Sequence, residues 1–320
     1  MSQFKKRIII VIILSGILYL GFSIYSDFDE LINSFKNFNY LLIPIILLLS
    51  LMNYFVRFLK WNYFLDLLKV KLSLKDSIIV FLSGFLMSIT PGKFGEIFKS
   101  YLIKQINGTS ISKTAPVVLA ERLTDFFSLS ILALIGSYFF EYGFLVSLIM
   151  TLILILGIIL LTNKSLFEIF IRVISKVSFL KSKVSKFIQL FNSTETLLQL
   201  KPLLLSLFLS VISWSFECFG YYLIIKNFKE SLNLFWAIFS YSFSTIVGAI
   251  SMLPGGLGMT EGSFLIMLKN NGLKLSDSTA ITIITRVSTL WFAVLIGIIF
   301  FIVFSYKFGK VNIKDENNFQ

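Results

Sequence analysis

Two short stretches of this chain place a proline, glycines and a carboxylate inside otherwise apolar sequence. The first, SITPGKFGEIFK (88–99), carries Pro91, Gly92, Lys93, Gly95, Glu96 and Lys99. The second, SMLPGGLGMTEG (251–262), carries Pro254, Gly255, Gly256, Gly258 and Glu261. A helix interrupted in this way frees backbone amides at the start of its second half, and those amides with their dipole suit an anion. Hydrocarbon cannot satisfy them, so each break must face protein or a water-filled cavity. A third stretch, AERLTDF, sets Glu121 and Asp125 four residues apart on one helical face. Like charges there repel unless a cation intervenes. Arg122 can bend back to them, and Lys93 or Lys99 can complete the pairing. Glu261 and Arg286 are candidates for a second pair. Glu217, an acid amid apolar residues, either carries protons or bonds an arginine. Arg57, in RFLKW, reads as an interfacial anchor beside Trp61.

The elements that must position these groups are membrane helices. Of 320 residues, 56% are hydrophobic. Phe144–Thr162 and Ile8–Ser26 are each 19 residues long without a charge. Such runs read as transmembrane helices. Each charge at mid-bilayer costs about 2.5–3.5 kcal/mol on the insertion scale. The charged residues are therefore expected to face the bundle interior or its cytoplasmic end, as an ion network or as a polar path for a headgroup. The net charge of +12 comes from basic residues scattered between apolar runs. That is a topology signal, not the solvated basic face that nucleic-acid binding needs. There is no histidine, which excludes Ser-His-Asp chemistry and a His-ligated zinc centre. Cys218 is the only cysteine, so there is no disulfide framework. Neither a metal nor a cofactor is expected.

Lys5, Lys6 and Arg7 place the N-terminus in the cytoplasm, and the first apolar run is read as a retained helix, not a cleaved signal. DFDELINSFKNFN then lies outside, and a second helix over about Tyr40–Leu59 returns to Lys60, Lys69, Lys71 and Lys75. Ile78–Thr90 and Ile97–Ile103 are too short to span and have positive charge on both sides, so they read as a re-entrant hairpin entered from the cytoplasm. Ala115–Phe140 rises and Phe144–Thr162 descends. Residues 163–202 form a cytoplasmic amphipathic linker. Leu203–Ile225 rises, Asn233–Leu253 meets the second break from outside, and Ser278–Tyr306 leads to a cytoplasmic tail over 307–320.

The breaks sit in matching frames. Pro91 precedes Arg122 by 31 residues and Pro254 precedes Arg286 by 32. APVVLAERLTDFFSLSILALIG follows the first break and TAITIITRVSTLWFAVLIG the second. Each unit reads helix, broken hairpin, arginine-bearing helix, over residues 40–140 and 203–306 of a single integral membrane domain. Short, Gly/Pro-interrupted segments at matching positions in two halves predict a midplane site in an inverted repeat.

PGKFGEIFKSYLI, VVLAERLTDFFSL and LPGGLGMTEGSFLIML with AITIITRVSTLWFAVLIG resemble the lysylphosphatidylglycerol synthase transmembrane-region family of flippase-like integral membrane proteins. The resemblance covers about residues 8–306 and is closest to the stand-alone members, which lack an aminoacyl-transferase domain. It implies a bacterial or archaeal inner-membrane protein that moves, or helps move, a polar lipid between leaflets. Lys99, where many relatives carry arginine, offers a point charge in place of a bidentate fork.

The expected architecture is all-α and polytopic, with about six to eight transmembrane helices and two broken or re-entrant hairpins. The expected function is translocation of a phospho- or glycolipid across the inner membrane, without catalysis. Arg122 and Arg286 would bind lipid phosphate. Glu96, Glu121, Asp125 and Glu261 would hold those arginines or bind a cationic headgroup. No GxxxxGK[ST] loop is present, so a gradient or passive equilibration must drive transport. The alternatives are a membrane-embedded lipid-linked transferase, a secondary transporter of a soluble solute, and a non-transporting partner of a lipid-modifying enzyme. Expected partners are membrane lipids, with a lipid-modifying enzyme or a second copy of the chain as further candidates.

Overall fold

A computed structural model describes residues 26–90, 94–138, 141–175, 184–229 and 231–309, with a few positions between 15 and 24. Most of the first predicted helix, Pro91, Gly92, Lys93 and residues 310–320 lie outside the described residues. Among those described the structure is all-α, with no strand. A short helix, α1 (Phe28–Asn37), starts at Asp27, whose side chain accepts the amides of Asp29 and Glu30. The long helix α2 (Ile43–Leu67) follows. The first broken segment comprises α3 (Leu74–Ser83), a 3₁₀ turn (Gly84–Met87), a second 3₁₀ turn (Phe94–Ile97) and α4 (Phe98–Asn107). Then come α5 (Ile111–Ser137), α6 (Glu141–Thr162), α7 (Lys164–Ser175), α8 (Val184–Leu197) and α9 (Leu200–Phe228). The second broken segment is α10 (Leu234–Ile250) and α11 (Met259–Asn270). It leads into α12 (Leu275–Arg286), a π turn (Val287–Trp291) and α13 (Phe292–Phe308).

The stretches Tyr40–Leu67, Leu200–Phe228 and Leu275–Phe308 are long and apolar enough to cross a membrane. Their polarity is arranged inside out. On α2, Leu48, Leu51, Phe55 and Leu59 are exposed, while Ser50, Asn53, Arg57 and Lys60 are buried. The spacing 50-53-57-60 is one helical stripe, and it faces a similar stripe on α9. Asn53 Nδ2 donates to the Ser213 carbonyl at 2.8 Å, and Lys60 Nζ reaches Ser210 Oγ at 2.6 Å. Apolar surface toward lipid and polar surface toward protein is what a bilayer solvent requires. The structure extends the second helix past Leu59, so Lys60 lies within it and not in a loop.

Two apolar clusters hold the halves. One gathers Trp61, Phe64, Phe81, Phe85 and Leu102 around the first broken segment. The other gathers Trp214, Tyr221, Trp236, Tyr241 and Phe264 around the second. The halves meet reciprocally. The arginine-bearing α5 packs on α10, and α13, which continues the other arginine-bearing helix, packs on α3 and its 3₁₀ turn. Each contact has a glycine at the closest approach. A Cβ on Gly136 would stand 2.5 Å from the Phe239 backbone nitrogen, and one on Gly297 would stand 2.2 Å from that of Leu86. These glycines end the two matched LIG stretches.

Both broken segments return toward their starting points. Asn107, at the end of α4, donates to the Lys71 carbonyl just before α3 at 3.0 Å. Lys229, just before α10, donates to the Asn271 carbonyl just after α11 at 2.5 Å. Within the stretch 163–202 expected as an amphipathic linker, the described residues include two helices, α7 and α8. They are joined by stacking of Phe167 on Phe191 at 3.8 Å and by a Lys164–Glu195 ion pair at 3.0 Å.

Candidate functional site

The second break has Gly255, Gly256 and Gly258 at φ 62°, 68° and 85°, a left-handed region that glycine occupies without a Cβ clash. Gly258 caps α11, and its amide donates to Glu261 Oε2 at 2.7 Å. The other Glu261 oxygen accepts from Arg286 Nε at 2.6 Å, and Arg286 Nη2 donates to the Gly255 carbonyl at 2.6 Å. The predicted Glu261–Arg286 pair is therefore formed. An anion does sit at the start of α11, but it is the chain's own carboxylate. Pro254 closes the turn, accepting from Leu257 at 3.1 Å. In the first break, the Gly95 amide donates to Thr90 Oγ1 at 2.9 Å.

The first break's charges join those of α5 and α2. Lys99 Nζ lies 2.5 Å from Glu121 Oε2 and 3.7 Å from Glu96 Oε2. It also sits over the Trp61 ring at 4.4 Å. Arg122 Nη2 lies 3.2 Å from Glu96 Oε2 and 3.1 Å from Asp125 Oδ2. Lys60 Nζ holds Asp125 Oδ1 at 2.6 Å, and Arg57 Nη2 stands 3.8 Å from Asp125 Oδ2. Glu121 and Asp125 share a face, as their spacing requires, and take different cations.

Arg57 is not an interfacial anchor. It is buried, flanked by Phe85 at 5.4 Å and Trp214 at 5.9 Å. Trp61 is fully buried with its indole N–H on Ser77 Oγ. Glu217 accepts a short hydrogen bond from the Tyr241 hydroxyl, a donor that the sequence reading did not consider. The π turn after Arg286 adds two contacts to α2: Ser50 Oγ donates to the Ser288 carbonyl at 2.9 Å, and the Tyr54 hydroxyl to that of Thr289 at 3.2 Å. Inserted turns of this kind often mark functional sites.

These groups surround one cavity. Its walls include Arg57, Arg122, Arg286, Asp125, Glu217, Tyr54, Trp214 and Tyr241, with Ser88 and Thr90 from the first break and Gly255 and Gly256 from the second. Glu96, Lys99, Glu121 and Glu261 are buried behind that wall as partners. Lys93, Pro91 and Gly92, expected in the site, lie outside the described residues. Sequence reasoning missed Arg57, Lys60, Trp214 and Tyr241. The signal for the first two was the 50-53-57-60 stripe, hidden by ending the helix at Leu59. The matching stripe of Ser206, Ser210, Ser213 and Glu217 shows that Glu217 is not isolated.

A second, apolar groove adjoins the cavity. Leu119, Leu123 and Phe126 of α5, Phe167 of α7, Phe187 and Phe191 of α8 and Ile250 of α10 line it. Arg122, Phe126 and Ala249 belong to both walls.

The family model described as "Lysylphosphatidylglycerol synthase TM region" matches residues 8–297. Similar proteins include the UPF0104 membrane protein MJ1078 of Methanocaldococcus jannaschii, 28% identical over 68% of this chain and 94% of the relative. The UPF0104 membrane protein PH1989 of Pyrococcus horikoshii is 25% identical over 74% of this chain and 79% of its own length.

Proposed function

The chain belongs to the lysylphosphatidylglycerol synthase TM-region family, and from that premise we propose that it translocates a polar membrane lipid between leaflets. One observation carries this reading: the charged cavity and the apolar groove share a wall at Arg122, Phe126 and Ala249. A lipid needs both environments at once. Its headgroup requires hydrogen-bonding and charged partners, and its acyl chains require apolar surface. A soluble solute has no use for the groove, so the continuity favours lipid over the transporter alternative.

The two broken segments act as re-entrant hairpins entering from opposite sides of the bacterial or archaeal inner membrane. Their return toward their own starting points and their reciprocal packing support an inverted repeat around a midplane site. In this reading the chain is a non-catalytic translocase. Glu96, Lys99 and Glu121 hold the cavity wall, and Glu261 with Arg286 holds the second break in shape.

The test is reconstitution of the full chain into liposomes containing fluorescent phospholipids, scored by a membrane-impermeant quencher. Wild-type protein is expected to bring inner-leaflet probe into reach of the quencher faster than empty vesicles do. Arg122→Ala, which removes the charged residue common to cavity and groove, is expected to abolish that acceleration. Equal rates with and without folded wild-type protein, across anionic, zwitterionic and glycolipid probes, would overturn the proposal.

A further inference from the structure

Three arginines reach the cavity, but they are not equivalent. Arg286 is committed: Nε goes to Glu261 and Nη2 to the Gly255 carbonyl. Arg57 is in the opposite condition. It is 6% exposed, and neither its Nε nor its Nη2 has a hydrogen-bond partner. Arg122 Nε and Nη2 also lack hydrogen-bond partners, although Nη2 is ion-paired. A buried polar group left unsatisfied is costly, and each instance in a folded protein calls for an explanation such as a bound ion.

The two guanidinium groups stand side by side, because both approach the same carboxylate oxygen, Asp125 Oδ2, at 3.8 and 3.1 Å. Lys60 fixes the other Asp125 oxygen at 2.6 Å. Asp125 thereby aligns the pair without using their Nε hydrogens. Among the described residues, this ion-paired cluster joins four cations (Arg57, Lys60, Lys99, Arg122) to three carboxylates (Glu96, Glu121, Asp125). Glu217, on the same cavity, is engaged by Tyr241.

From this geometry we infer that Arg57 and Arg122 form a phosphate clamp, with the phosphate supplied by an anionic membrane lipid whose acyl chain lies in the adjoining groove. Two adjacent planar forks with unused N–H donors match the oxygens of a phosphate, which a single lysine does not. Arg122, on both walls, sits where headgroup meets chain. The acyl-chain half of the inference rests on the translocation reading, whereas the clamp rests only on the arginines.

Trp214 reports on the site, since it lines the cavity against Arg57. Tryptophan emission of the purified full chain would be titrated with dioctanoyl phosphatidylglycerol, with inorganic phosphate and with dioctanoylglycerol, using Trp214→Phe to identify the responding ring. Phosphatidylglycerol should give a saturable change from Trp214, phosphate a weaker one, and the uncharged diacylglycerol none. Arg57→Gln and Arg122→Gln should each weaken phosphatidylglycerol binding by about 10- to 100-fold, the loss expected for a hydrogen bond to a charged group. Arg57→Lys, which keeps the charge and serves if Arg57→Gln misfolds, should recover only part of the affinity. Unchanged affinity in folded Arg57→Gln, or an equal response to diacylglycerol, would overturn the clamp. Phosphate binding as tightly as phosphatidylglycerol would overturn the lipid source. Leaflet exchange in the same preparation separates the two readings. Exchange with an Arg57-independent response sinks the clamp and keeps translocation, whereas Arg57-dependent binding without exchange keeps the clamp and sinks translocation.

Discussion

Lys60 uses all three of its ammonium hydrogens inside the protein: Thr124 Oγ1 at 3.2 Å, Asp125 Oδ1 at 2.6 Å and Ser210 Oγ at 2.6 Å. It is fully buried. A saturated ammonium of this kind is a brace, tying α2 to α5 and α9. Breaking a buried pair by removing one partner costs about 3–5 kcal/mol, mostly because the other charge is left behind. Lys60→Met should therefore destabilise the protein by up to about that amount, moderated because Arg57 and Arg122 still face Asp125. Adding Asp125→Asn to Lys60→Met should recover part of the loss. Thermal unfolding in detergent, followed by circular dichroism through the full double-mutant cycle, measures this; additive losses would show that the pair is not coupled. At this scale the sequence was legible where partners lay on a broken segment and the helix that follows it, as for Glu261 with Arg286 and Lys99 with Glu121. It was opaque for Arg57 and Lys60, whose partners lie on distant α5 and α9 and whose helix end carries no Gly or Pro to mark it.

Between elements, the decisive contacts are backbone on backbone. Gly136 lets α5 lie against α10, and Gly297 lets α13 lie against the 3₁₀ turn after α3. The first atoms that a new Cβ would meet are main-chain atoms, which cannot swing aside. Gly136→Ala and Gly297→Ala should each destabilise by about 1–3 kcal/mol, the usual cost of overpacking. That outweighs the gain of up to about 1 kcal/mol in helix propensity. Gly157 on α6 is the control, because nothing lies within 4 Å of its Cβ position. Gly157→Ala should be neutral or stabilising. Melting temperatures of the three variants decide this, and a stabilised Gly136→Ala or Gly297→Ala would refute the close approach. The positions of the two breaks were legible, since Pro and Gly punctuate them. The LIG glycines were visible as a repeat but not as contacts, because the partner of each lies in the other half. The π turn at Val287–Trp291 leaves no mark in composition; side chains of α2 reveal it by satisfying two of its carbonyls.

Across the whole molecule, hydrogen bonds sort the connecting segments into two ends. At one end, Ser34 meets Asp277 at 2.7 Å, the Asn39 amide meets Asn227 at 3.1 Å, and Lys229 meets Asn271. At the other, Asn107 meets the Lys71 carbonyl, Gln105 meets the Phe308 carbonyl at 2.9 Å, Lys307 meets Asp76 at 2.7 Å, and Ser112 meets Gln189 at 2.5 Å. The grouping agrees with the loops that charge alone assigns to opposite sides. The second end holds Lys69, Lys71, Lys75, Lys104 and Lys113, close to Lys186 of α8, and the positive-inside rule predicts that this end faces the cytoplasm. The first end mixes Lys36, Lys226 and Lys229 with Asp27, Asp29, Glu30 and Asp277, so lysine count alone decides weakly there, and the pairing with α1 groups these loops at one end. Cys218 is buried, so Cys218→Ala gives a background on which single cysteines at exposed lysines can be read. Treated with an impermeant maleimide in intact cells, Lys36→Cys and Lys226→Cys should label directly. Lys104→Cys and Lys186→Cys should label only after permeabilisation. The reverse pattern would invert the orientation. Labelling of Lys36→Cys and Lys226→Cys from different sides would break the two-ended arrangement, and with it the opposed entry of the broken segments on which an inverted repeat depends.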